Sequence, residues 1–209
     1  MTGSSAFWYA SRATGIIALL VFTAVLVLGL MVTRQVRLPG LPGFAVTSLH
    51  RNLSLLGLTL VGVHVLTAAL DQYVRIPLLS VVIPFDSGYE RFWLGLGSVA
   101  FDVIVAMIVT SLVRGHLSRT WWRAIHLLAY FSWPVALAHG FGAASDLRQG
   151  WLLAVAAGCV LAVMAATAAR LAAAAREVPR AAKVAAVFTQ HAEERIRRPG
   201  RTVPGRMPH

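Results

Sequence analysis

Seven histidines occur in the chain, and four of them fall in pairs on two apolar segments: His50 and His64 on one, His126 and His139 on another. Ionisable side chains are costly in hydrocarbon, and those that persist there usually pair, relay protons or hold a cofactor. Imidazole is a nitrogen ligand for iron, zinc and copper. The members of the first pair are 14 residues apart and those of the second 13, about 20 Å along a helix rising 1.5 Å per residue. Four ligands spread over that distance cannot close a tetrahedral zinc site. Two levels with two imidazoles each suit a group that brings its own equatorial nitrogens, so the chemistry expected is that of two bis-histidine b-type haems. Stacked along one axis, they form a path for single electrons.

The elements that must position these ligands are membrane spans. The 209-residue chain has a mean hydropathy of +0.69 and only 13% charged residues, about half the charge of an ordinary soluble domain. Crossing a ~30 Å hydrocarbon core takes about 20 apolar residues. Five runs qualify, at 13–33, 48–70, 92–113, 124–145 and 150–169, and Asp102 is the one acid inside them. The first is too long for a signal-peptide core and has no small-residue cleavage site after it, so it is expected to be a retained span. The fold class expected is therefore all-α, an integral membrane bundle of about five transmembrane helices.

Charge sets the expected orientation. Threaded as five spans, the chain places 15 of its 19 Lys and Arg residues on one side, leaving only Arg12, Arg75, Arg91 and Arg148 on the other. The basic side faces the cytoplasm, with the N-terminus outside and the C-terminus in the cytoplasm. The net charge of +11 then reflects topology and contact with anionic membrane lipid. It is not a nucleic-acid footprint. The localisation expected is the cell membrane, as a multi-pass protein.

In this threading the second and fourth spans run in the same direction. His50 lies beside Arg51, and His126 three residues after Arg123, both near the cytoplasmic edge. His64 and His139 each precede an aspartate, Asp71 or Asp146, by seven residues, at matching depth on the outer side. The pairs are therefore His50 with His126, and His64 with His139. Fourteen residues at 100° each return His64 to within about 40° of His50, whereas thirteen leave His139 roughly 140° from His126. Pro134 lies between the latter two and is expected to supply the distortion that re-aims His139. Gly57, midway between His50 and His64, leaves room on that face. Tyr130 and Trp133 sit at a comparable level, either between the cofactors or as packing residues. Arg51 and Arg123 suit propionates at the cytoplasmic level and Arg12 at the outer one; anchoring at the membrane edge explains the same arginines equally well.

The remaining features carry less chemistry. Residues 34–44 form a Pro- and Gly-rich turn, and 71–91 a long outer loop broken by Pro77 and Pro84 that is expected to pack over the bundle. Cys159, the single cysteine, reads as a packing residue. His116, His191 and His209 fit solvated positions. Asp102, without a basic partner in its span, is expected to be protonated or hydrogen-bonded to a neighbouring helix. Residues 180–198 could form a basic helix on the membrane surface, and 199–209 read as disordered. There is no GxGxxG and no P-loop.

The spacings His50-x13-His64 and His126-x12-His139, the latter within WWRAIHLLAYFSWPVALAHG, resemble the ferric reductase-like transmembrane domain. That superfamily includes ferric-chelate reductases, NADPH oxidases and the haem subunit of the methionine-sulfoxide reductase system. The flank WYASRATG, Trp8 to Gly15, is also similar to bacterial members, and the resemblance extends over about residues 7–145. It implies two b haems that pass single electrons across the membrane, with residues 7–172 as the haem domain and 173–209 as a basic cytoplasmic tail. Full-length ferric reductases and NADPH oxidases append a flavin- and NADPH-binding half, and no such segment is visible here. Flavin is thus expected only on a partner, the donor being a flavoprotein or the quinone pool, and the outer acceptor is unspecified. No residue is assigned to bond-making catalysis, so the chain reads as an oxidoreductase component. Two other readings stand: a transporter or assembly factor whose histidines join helices, and a haem-binding sensor.

Overall fold

A backbone in lipid must satisfy its own polar groups, and the apolar runs do so as helices. The computed structural model describes residues 2–32, 42–71, 76–144 and 148–197. Its helices are α1 (Thr2–Val32), α2 (Gly43–Leu70), α3 (Leu79–Val82), α4 (Arg91–Leu112), α5 (Arg119–Leu127), α6 (Ala129–Ala143) and α7 (Gly150–Arg197), with a 3-10 turn at Arg114–His116. Among the described residues there is no strand. Most of the 34–44 turn, the residues around Asp146 and the 199–209 tail lie outside the described residues.

Four stretches are long and apolar enough to cross a membrane: Ala6–Met31, Gly43–Leu70, Arg91–Leu112 and Gly150–Arg176. The expected span at 124–145 is built instead from α5 and α6, which meet at Leu128. About five membrane-spanning elements result, one of them interrupted.

Residues 1–166 form one compact unit and 167–209 a second, which is described by α7 as far as Arg197. In the first unit α1 packs along α2, α4 packs along α6, and α1 also meets α6. Glycines on α1, α2 and α4 allow these close approaches, as small residues do between helices in lipid. Hydroxyl groups inside the spans bond back to their own helices, for example Thr14 to the Ala10 carbonyl and Ser54 to that of His50, both at 2.7 Å. The buried centre joins Leu26 of α1, Trp133 of α6 and Cys159 of α7. Cys159 is buried there, in the packing role expected of it.

The described part of the 71–91 loop packs down on α4. The Ser98 hydroxyl donates to the Ser80 carbonyl at 2.7 Å. Phe85 adopts a φ of 63°, a left-handed conformation costly for a bulky residue; its ring fills the space where Gly95 lacks a side chain.

Candidate functional site

The four histidines enter the site from either side of a gap, one side formed by α2 and the other by α5 and α6. His50 and His64 lie on the uninterrupted α2, His126 on α5 and His139 on α6. Among the described residues α2 and α6 hardly touch, and the imidazoles face one another between them. The ring centroids of His50 and His126 are 6.3 Å apart with planes at 63°. Those of His64 and His139 are also 6.3 Å apart, with planes at 80°.

Each α2 histidine, and His139, is held by the same local device. The Nδ1–H of His64 donates to the Ser11 carbonyl at 2.7 Å, that of His50 to Val25 at 3.0 Å, and that of His139 to Trp93 at 2.8 Å. Four residues beyond each acceptor stands a glycine: Gly15, Gly29 and Gly97. A Cβ on Gly15 would lie 2.9 Å from His64 Nδ1, one on Gly29 3.3 Å from His50 Cε1, and one on Gly97 2.8 Å from His139 Nδ1. The missing side chain is what opens the carbonyl one turn earlier to the imidazole. Gly15 and Gly29 are 14 residues apart, the same interval as His50 and His64 on the antiparallel neighbour.

This device has a chemical consequence. A carbonyl only accepts, so Nδ1 carries the hydrogen and the neutral ring presents its lone pair at Nε2. Metal-bound histidines are commonly fixed this way, the second ring nitrogen donating to a carbonyl that sets tautomer and orientation. Among the described residues the Nε2 atoms of these three rings have no hydrogen-bond partner.

His126 is held differently. Its ring stacks on Trp122, one turn earlier, with centroids 4.9 Å apart and planes at 18°. The Arg114 guanidinium covers the other ring in turn, 4.3 Å from the Trp122 centroid. His126 Nδ1 and Trp122 Nε1 are both buried without a hydrogen-bond partner.

The distortion between His126 and His139 is present, but not where Pro134 alone would put it. Pro134 lies inside α6, six residues beyond the junction at Leu128. Leu128 has φ −62° and ψ −15°, and its N–H bonds the Ile125 carbonyl at 3.0 Å, the tighter i−3 pattern. A proline burdens the turn before it, and here the adjustment falls one turn earlier still. The angular count of an ideal helix does not carry across such a turn, which is how a 13-residue interval serves two facing levels.

Trp133 takes its packing role: it lies in the buried cluster and donates Nε1–H to the Thr23 hydroxyl at 3.0 Å. Tyr130 sits at the exposed edge. Phe22 packs against the same cluster, and its ring fills the space beside Gly57, where a Cβ would lie 3.0 Å from it. Phe22 is seven residues from both Gly15 and Gly29. Of the expected arginines, Arg12 is half-buried with its guanidinium 4.1 Å from the Trp8 centroid, next in sequence to Ser11. Arg51 and Arg123 are exposed. Asp102 is half-buried on α4 and makes no hydrogen bond among the described residues, so the bond to a neighbouring helix is not formed. His116 is exposed, as expected.

The donor set fits haem iron. A single metal ion held by both imidazoles of a couple, with metal–nitrogen bonds of about 2 Å, would set the ring centroids roughly 6 Å apart. Both couples have that spacing. Among the described residues no three His, Cys, Asp or Glu side chains gather at one point, so each level offers two imidazoles and any further ligands would have to come with the group bound.

Comparison with known proteins gives a family match. The model of a family described as ferric reductase like transmembrane component matches residues 14–137. The match includes Gly15, Gly29, His50, His64, Gly97 and His126 and stops two residues before His139. No curated protein and no solved structure matches the chain.

Proposed function

Because the chain belongs to the ferric reductase like transmembrane component family, we propose that it is a membrane electron-transfer subunit holding two b-type haems. His50 and His126 would hold one, and His64 and His139 the other. The observation that carries this reading is the pair of imidazole couples with the same 6.3 Å spacing. Haem iron supplies reversible one-electron chemistry when bound.

The chain's own residues do the rest. Three imidazoles are fixed in tautomer and direction by carbonyls that glycines expose, so ligation does not need the rings to be ordered first. Phe22, Leu26 and Trp133 keep the space between the levels apolar. Arg51 and Arg123 serve the propionates at one level and Arg12 those at the other. Orientation follows the basic segments, with the His50/His126 level toward the cytoplasm of a cell membrane. Electrons enter there from a flavoprotein or the quinone pool and leave at the outer level to an acceptor on the far side.

Helix gluing, the main non-redox alternative, engages Nδ1 and leaves Nε2 on each fixed ring unexplained. A vesicle experiment tests transfer directly. Haem-loaded protein is reconstituted with ferricyanide trapped inside and dithionite added outside. Reduction of the trapped ferricyanide that disappears with His64→Ala is the expected result; vesicles whose protein carries two haems yet transfer nothing would count against the proposal.

A further inference from the structure

The four ligands are not equivalent, and the difference is confined to one of them. His50 and His64 on α2 and His139 on the longer α6 each have Nδ1–H committed to a carbonyl of a neighbouring helix. His126 stands on the nine-residue α5, one residue before the segment ends and two before the Leu128 junction. Its Nδ1 is buried without a partner. At the corresponding place on α4, 13 and 14 residues from Gly97, stand Thr110 and Ser111, where a glycine would have been needed to repeat the device. The Thr110 hydroxyl is turned back to the Ala106 and Met107 carbonyls of its own helix.

Two consequences follow. A ligating imidazole whose second nitrogen donates to an acceptor is the more basic ligand and keeps its direction, so His126 is the weakest donor of the four. A buried N–H without a partner also favours any ring position that lets it find one. What holds the ring is stacking on Trp122 beneath Arg114, a contact that orients a plane but lets it slide. Resting on the haem reading above, we propose that His126 is a releasable axial ligand, so that the His50/His126 level binds a small neutral exogenous ligand of the carbon monoxide type. The His64/His139 level stays closed, because both of its imidazoles are pinned.

The test uses full-length protein purified with its haem, reduced by dithionite and exposed to carbon monoxide. The expected result is a spectral change in about half of the reduced haem absorbance. In His64→Ala, which retains only the inner level, all of the remaining reduced haem responds. In Trp122→Leu, where the stack is removed but the ligand remains, the carbon monoxide on-rate rises about tenfold or more. Protein with two haems per chain that shows no spectral change would overturn the proposal, as would a responsive fraction that is lost in His64→Ala. Protein with no haem at all is a different outcome, and it defeats the haem reading itself.

Discussion

Gly15 and His64 are in direct contact across α1 and α2: a Cβ on Gly15 would stand 2.9 Å from the imidazole Nδ1. The same nitrogen donates to the Ser11 carbonyl at 2.7 Å. One small residue therefore decides whether the ring can reach its anchor. The arrangement recurs at Gly97 with His139 and at Gly29 with His50, so imidazole orientation is set by the partner helices as much as by the histidines.

Alanine at these glycines should separate the two levels. Gly15→Ala and Gly97→Ala both press on imidazoles of the outer couple, at 2.9 and 2.8 Å. Each should weaken haem retention there about tenfold or more, the usual cost of losing a ligand's supporting bond. Gly29→Ala meets His50 at 3.3 Å and should have the smaller effect, on the inner level alone. Haem content after dilution into detergent, read in the reduced α-band, checks the order; equal losses in all three would argue against it.

Gly142 supports the same couple at one remove. Its missing side chain is the space that the Trp93 indole fills, and the Trp93 carbonyl anchors His139. Gly142→Ala should therefore force α4 and α6 apart and lower the outer haem content with the inner haem retained. Loss of both haems in parallel would mean that the bundle had come apart instead.

The Trp133–Thr23 bond offers a stability test away from the ligands. Thr23→Val removes the acceptor of a buried indole N–H, at a cost of about 1–3 kcal/mol for the donor left unpaired. Trp133→Phe retains much of the ring but leaves only a hydroxyl that still bonds the Leu19 carbonyl at 2.7 Å, so as a hydrogen-bond loss it should cost less. Thermal denaturation followed by the Soret band distinguishes the two. With both substitutions present, the loss should fall short of the sum of the single losses, as for residues in contact.

How far the sequence reveals this arrangement depends on whether the signal lies in one helix or between two. The histidines announce themselves because their type is rare in apolar segments, and their intervals are read within single spans. The carbonyl–glycine anchors belong to other helices and are invisible from the ligands alone. One trace of them could have been read: the 14-residue interval of Gly15 and Gly29 repeats that of His50 and His64. The stack of Trp122 on His126 also follows an i, i+4 spacing legible in advance. By contrast, nothing near Leu128 marks it as the junction between α5 and α6; Pro134 points to the correct stretch but not to the turn that yields. Phe22 is not legible from the sequence because an aromatic in an apolar run has no signature of its own, whereas the glycine opposite it has.

The most direct measurement is the haem-to-protein ratio of the purified full-length chain beside its four single variants, His50→Ala, His64→Ala, His126→Ala and His139→Ala, with the dithionite-reduced spectrum of each. Two six-coordinate b haems per chain are expected in the parent. His64→Ala and His139→Ala should each leave one haem with the same residual spectrum, and His50→Ala should leave the other. His126→Ala, having lost its most weakly held ligand, should lose the inner haem or retain it through His50 alone. A colourless parent from haem-replete cells, or two haems undiminished in His64→Ala, would contradict the pairing of His50 with His126 and of His64 with His139.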